Sequence, residues 1–201
     1  MSAEGEPMDA HCDFPGLPDY LAPQMPLVFI GINPSTYSAA QGHYFARRTN
    51  RFWPALSQSR LSEPIRAALG RDRLEPEDDA RLLAFGIGFT DLVKRPSARA
   101  AELTRADYRI WAPKLRQRLE HYQPRVACFH GLTGYRAFAR DALGLTEVPS
   151  DLGPQPHSLG PTRLYVVPNP SPANAHFTLA DQIAWYDRLA DFLAEIGAAI
   201  G

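Results

Sequence analysis

Two short segments of this chain have the same residue types in the same order: Asn33–Pro34–Ser35 and Asn169–Pro170–Ser171. Proline fixes its own φ and keeps the residue before it extended, so each asparagine side chain is aimed rather than left to float. An isolated Asn-Pro is an ordinary turn signal. Here each copy follows an apolar run, Leu27–Ile30 in the first case and Leu164–Val167 in the second, which makes a shared site the better reading. A carboxamide has no useful basicity. Asn33 could hold and orient a water but not deprotonate it.

Between the first asparagine and the next helical pattern lies Tyr37–Ser38–Ala39–Ala40–Gln41–Gly42–His43–Tyr44–Phe45. Aromatic rings can stack on a planar base, and small residues let backbone groups approach its edge. Arg47, Arg48 and Arg51 follow, in a position to meet phosphates. Taken singly, Phe45 reads as a core aromatic and the arginines as a solvated face. Their order within one loop favours a site. Asp91 is a further candidate: a carboxylate facing a sugar could accept a proton from water and stabilise an oxocarbenium-like ring. The competing role for Asp91 is a cap or an ion pair with Lys94 or Arg95. His43, His130 and His176 have no carboxylate or cysteine partners at metal-ligand spacing, so neither a metal nor a cofactor is expected.

The elements that would position these residues form a pattern of short, unalternating apolar runs separated by helical stretches. Leu27–Ile30, a stretch within Leu82–Val93, Val126–Phe129 and Leu164–Val167 read as buried strands. Helices are expected from Asn50 through Phe52, Trp53 and Leu56, from Thr104 to Tyr122, from Thr133 to Leu143 and from about Thr178 to Ile196. Residues 34–42 and 144–162 read as loops. This predicts a three-layer α/β/α sandwich with a short, mainly parallel central sheet. Residues 1–24 form an irregular leader and residues 25–201 a single domain. In such sheets ligands bind beyond the carboxyl ends of the strands, where both asparagines fall.

Composition sets limits without choosing a function. The chain has 201 residues and a net charge of −1, so no global field draws it to polyanions. Of its 21 basic residues only Lys94 and Lys114 are lysines. Arginine's planar fork suits phosphates, but a genome rich in G and C would produce the same bias. Cys12 and Cys128 are the only cysteines, which suits a reducing cytoplasm and gives no disulfide framework. No apolar run approaches the ~20 residues needed to cross a bilayer.

On these residues the chain resembles the mismatch-specific uracil/thymine DNA glycosylases of the uracil-DNA glycosylase superfamily. The resemblance runs from Gly31–Ile32–Asn33–Pro34 to Asn50–Arg51–Phe52–Trp53. It resumes over Gly86–Pro96 and at Val167–Ser171, and ends in the helix around Ala184–Leu189. It implies a cofactor-free enzyme that flips uracil, or a related mispaired pyrimidine such as that of G·U, out of double-stranded DNA. Hydrolysis of the N-glycosidic bond would leave an abasic site, the first step of base excision repair. Asn33 would hold the water and Phe45 stack on the base. Ile32, Ser38, Gly42 and His43 would line the base pocket, while Arg47 and Arg48 would meet the backbone. Asn169, Pro170, Ser171, Pro172, Ala173 and Asn174 would press on the duplex and fill the gap. The implied setting is a monomer in the bacterial cytoplasm, at the nucleoid when engaged. Ser35, where glycine is frequent, the longer loop at Pro172–Ala175, and Asp91 depart from the family pattern. Two other readings stay open: a DNA-binding module without catalysis, and an enzyme acting on free nucleosides.

Overall fold

The computed structural model describes residues 15–148, 150–198 and 200. Residues 1–14 of the leader, including Cys12, lie outside them. In chain order the main elements are β1 (Leu27–Gly31), α1 (Thr36–Gln41), α2 (Phe52–Gln58) and α3 (Glu63–Leu69). A 3-10 stretch at Pro76–Phe85 leads into β2 (Ile87–Asp91). Then follow α4 (Arg105–Tyr122), β3 (Val126–His130), α5 (Leu132–Asp141), β4 (Gly153–Leu159), β5 (Thr162–Val167) and α6 (Leu179–Glu195).

The five strands form one sheet in the order β2-β1-β3-β5-β4, with every pair parallel except β4–β5. Alternate side chains of a strand point to opposite faces, and both faces are covered here. Leu27 and Phe29 of β1 pack with Phe52, Trp53 and Leu189 from α2 and α6. Val28 and Ile30 pack on the other face with Leu115, Leu119 and Phe138 from α4 and α5. This is the three-layer α/β/α sandwich that the apolar runs predict.

Local sequence explains most of the helix ends. Thr104 and Thr178 each open a helix with a reciprocal capping box, closed by Asp107 and Asp181. Asn50 caps α2 from one residue further out, its Oδ1 accepting from Phe52 N at 2.9 Å.

Two stretches expected to be loops contain regular structure. Residues 34–42 hold α1, capped by the Ser35 hydroxyl, which accepts from Ser38 N at 3.0 Å. Gly42 stops it at a φ of 75°, a left-handed conformation that glycine adopts without strain. Residues 144–162 contain β4, whose Pro154 and Pro156 make the segment read as loop. Proline is tolerated on an edge strand because its missing N–H has no ladder partner to satisfy, and β4 is the edge. The leader is tied down from residue 17 onward. Leu17 is buried, and Tyr20 exchanges two backbone hydrogen bonds of 2.9 Å with Phe89 of β2.

Candidate active site

The strand register brings the site residues to one rim. Gly31 lies opposite Asp91, and His130 opposite Val167, so β1, β2, β3 and β5 end side by side. Beyond them opens a cleft of about 1140 Å³. Its lining includes Ile32, Asn33 and Phe45 from the segments after β1, and Asn169, Ser171 and Asn174 from the loop after β5.

Asn33 is held by a segment distant in sequence. Its Nδ2 lies 2.8 Å from Ser97 Oγ, 3.0 Å from Arg95 O and 3.2 Å from Pro34 O. The Ser97 hydroxyl donates its own proton to Arg99 O at 2.8 Å, so it must accept from Asn33. These acceptors determine which end of the amide is nitrogen. Ser97 is locked in turn, because Thr36 N donates to its carbonyl and its own N donates to Pro34 O, both at 3.1 Å. All three of these bonds use Nδ2 and none uses Oδ1.

Phe45 adopts a φ of 53°, sparsely populated for a bulky side chain and found where the surroundings enforce it. Its ring stacks on Phe52, with centroids 4.3 Å apart and planes at 18°, and meets His130 edge-on at 5.1 Å. The ring is half-buried and lines the cleft. Ser38 is buried beneath it, its hydroxyl accepting from Ala46 N at 3.2 Å, which fixes the backbone just past Phe45.

Asp91 is buried at the floor of the cleft. Its Oδ1 packs so closely on Gly31 that a Cβ there would collide with it. Its Oδ2 has no hydrogen-bond partner among the described residues. Burial pushes its pKa up to about 7, against the pull of Lys94 and Arg118, while the negative charge of Asp19 pushes the same way as burial. His130, buried on the same rim, pairs through Nε2 with the Tyr186 hydroxyl at 2.9 Å. Burial holds its pKa down at about 3, so it is neutral at working pH.

The opposite loop is built differently. Asn169 Oδ1 accepts from Ser171 N at 2.9 Å, and Asn174 Nδ2 donates to Asn169 O at 3.0 Å. Arg51 clamps the loop from outside, its guanidinium donating to Ser171 O at 2.7 Å and to Asn174 O at 2.8 Å. Its backbone N adds a bond to Pro170 O at 3.0 Å. Arg51, expected at the phosphates, is turned into the protein.

The structure thus brings together on the cleft Ile32, Asn33, Ser38, Phe45, Asp91 and Arg47, together with Asn169, Ser171, Pro172, Ala173 and Asn174. Gly42, His43, Arg48 and Pro170 are not part of its lining. His43 turns to Asp79 at 3.2 Å, Gly42 and Arg48 are exposed, and Pro170 is buried. The lining also includes residues that the sequence does not single out: Ser97–Ala101, Leu17 of the leader, and Leu132, Thr133, Asp151, Leu152, Phe177 and Trp185. The one signal for Ser97–Ala101 is the polar Ser97 just past Lys94–Arg95–Pro96, in the segment that follows β2. Arg99 in this segment is strongly exposed and adds a second cationic side chain to the cleft besides Arg47. Among the described residues no group of three His, Cys, Asp or Glu side chains is placed to hold a metal ion. No helix among them is long and apolar enough to cross a membrane.

The solution NMR structure of a putative uracil DNA glycosylase from Methanosarcina acetivorans is similar in fold, with a TM-score of 0.52. The two sequences are 19% identical, and the match covers 86% of this chain and 93% of that one. The family model of the uracil DNA glycosylase superfamily matches residues 18–193. With its strand-end cleft, its held carboxamide and this match across nearly the whole chain, the protein belongs to the uracil DNA glycosylase superfamily.

Proposed function

We propose that the protein is a monofunctional, mismatch-directed uracil-DNA glycosylase that acts on uracil, and on related mispaired pyrimidines, in duplex DNA. One observation carries the reading: Asn33 has its amide nitrogen tied down beside a ring that is backed on one side. A flipped base stacks on the open face of Phe45, and Asn33 Oδ1 holds a water at the C1′ carbon. The clamped Asn169–Asn174 loop occupies the space that the base leaves, and Arg47 meets the phosphate backbone. The protein works as a monomer in the cytoplasm, at the nucleoid when engaged.

The chemistry follows from the groups present. Asn33 orients water without ionising it, so positioning provides much of the rate. Bases that leave readily as anions, uracil before thymine, are favoured. Extrusion costs a few kcal/mol, and less for a mispaired base, which directs the enzyme to G·U before A·U. Asp91 adds a base. Once ionised, its carboxylate accepts the water proton, and its charge supports the oxocarbenium-like sugar.

The test is to incubate the protein with G·U, A·U and G·T duplexes and with single-stranded uracil DNA, then cleave abasic sites with alkali. Strand breaks appearing first in G·U are expected. Shifted but uncut DNA would overturn the reading in favour of a binding module. Turnover of free deoxyuridine, with no action on DNA, would favour a nucleoside enzyme.

A further inference from the structure

Asp19 lies in the leader, outside every helix and strand, yet it is the centre of a partly exposed ion network next to Asp91. Its carboxylate accepts from Lys94 Nζ at 2.7 Å, from Thr90 Oγ1 at 2.6 Å and from Arg118 at 3.0 Å. Arg118 reaches on to the backbone carbonyl of Asp91 at 2.8 Å. Lys94 approaches the Tyr44 hydroxyl at 3.4 Å, and that hydroxyl donates to Pro18 O at 2.9 Å.

The charged and titratable groups around Asp91 come from several elements. Lys94 follows β2, Arg118 comes from α4, Asp19 from the leader and Tyr44 from the segment before α2; neutral His130 from β3 lines the same cleft, and β1 presents only Gly31. Both nearby cations thus bond to Asp19, while Asp91 Oδ2 has no partner among the described residues.

We propose that Asp19 is a positioning residue: it holds Lys94 and Arg118 off the Asp91 carboxyl and so leaves that carboxyl without a cation bonded to it. Burial works against ionisation of Asp19, but Lys94, Thr90 and Arg118 together bring its pKa below the ordinary carboxylate value. It is therefore charged throughout the working range. Removing that charge acts on Asp91 twice, by deleting a like charge and by releasing a cation towards it. The leader is then part of the site's electrostatics as well as of its packing. The effect on catalysis rests on the reading of Asp91 as a base; the effect on Asp91's own ionisation does not.

Two variants of the full chain separate these. The Asp91 carboxyl is followed by carbon-13 NMR against pH, and its signal is assigned by its loss in Asp91→Asn. In Asp19→Asn the Asp91 midpoint should fall by on the order of one pH unit. In Lys94→Gln it should rise. A leader that is only a structural anchor would lower the melting temperature in Asp19→Asn without moving that midpoint, and an unmoved midpoint in folded protein overturns the inference. Should Asp19→Asn not fold, Asp19→Glu, which keeps the charge but moves it, decides instead: a shifted midpoint supports the inference and an unmoved one overturns it. In parallel, the acid limb of the base-release profile should follow the NMR midpoint downward in Asp19→Asn. If the midpoint moves and the limb does not, Asp19 controls Asp91 as inferred and Asp91 is not the base.

Discussion

The two Asn-Pro-Ser segments are identical in sequence and are used in opposite ways. At the first, Asn33 reaches across to Arg95 and Ser97, residues far along the chain, and Ser35 is released to cap α1. At the second, Asn169 turns back on its own loop to cap Ser171, and the long-range tie comes from Arg51. A long-range tie fixes a side chain in space, whereas a local cap fixes only the backbone around it. The first asparagine is therefore fixed in place on the cleft, as the proposed water-holding role requires, and the second braces its own loop. The first rim also carries a buried carboxylate, Asp91, paired in register with Gly31.

If that contrast is right, Asn33→Ala has the largest effect. Single-turnover release of uracil from G·U duplexes should fall by about 10²–10³-fold, the usual loss when a preorganised polar group is removed from an active site. Near-wild-type release from this variant would make the two segments equivalent.

The pH response should belong to the first rim alone. Asp91 takes up its proton near pH 7 in the folded protein and near 3.8 otherwise, so between those values the folded state binds more protons. Its contribution to stability is therefore present below about pH 4, declines as pH rises, and is gone by about pH 7, while activity through the ionised form rises with pH over about 6–8. Asp91→Asn should flatten the activity profile and make the protein more stable at pH 8, on the order of 2–4 kcal/mol by denaturant titration. An unchanged stability difference between pH 5 and pH 8 would contradict the buried, unpartnered carboxyl.

Loosening the second rim should act on duplexes only. Arg51→Met leaves the Ser171 and Asn174 carbonyls without their clamp. It should cut the rate on duplex uracil by about tenfold and leave single-stranded substrate within about twofold, because only a duplex needs its gap filled. Equal losses on both substrates would show the clamp to serve overall folding.

Smallest of all, Asn169→Ala removes one local cap. It should cost about 1 kcal/mol of stability and only a few-fold in rate, with the pH profile unmoved. A loss matching that of Asn33→Ala would erase the distinction between the segments.

Much of this architecture is legible in the amino-acid order. Buried parallel strands are continuous apolar runs, so Leu27–Ile30, Val126–Phe129 and Leu164–Val167 can be read directly. Thr104 and Thr178 mark helix starts because capping is chemistry within four residues. β4 is hidden because its prolines imply a loop unless the segment is known to be an edge. His43 and Phe45 look equivalent in one loop, but His43 turns to Asp79 while Phe45 enters the cleft. The prolines within residues 15–24 mark an irregular leader, yet they say nothing of what Leu17 and Asp19 meet.

The elements and the placement of two asparagines at strand ends are written in the chain itself, because each depends on local pattern; the parallel arrangement follows from unalternating apolar runs separated by helices. Which asparagine is tied across the chain, where Arg51 points, and how Asp91 is buried with one oxygen unpartnered among the described residues are settled by the folded arrangement alone. Those outcomes depend on partners some 60 to 120 residues away, whose approach is set by sheet register and packing rather than by local pattern.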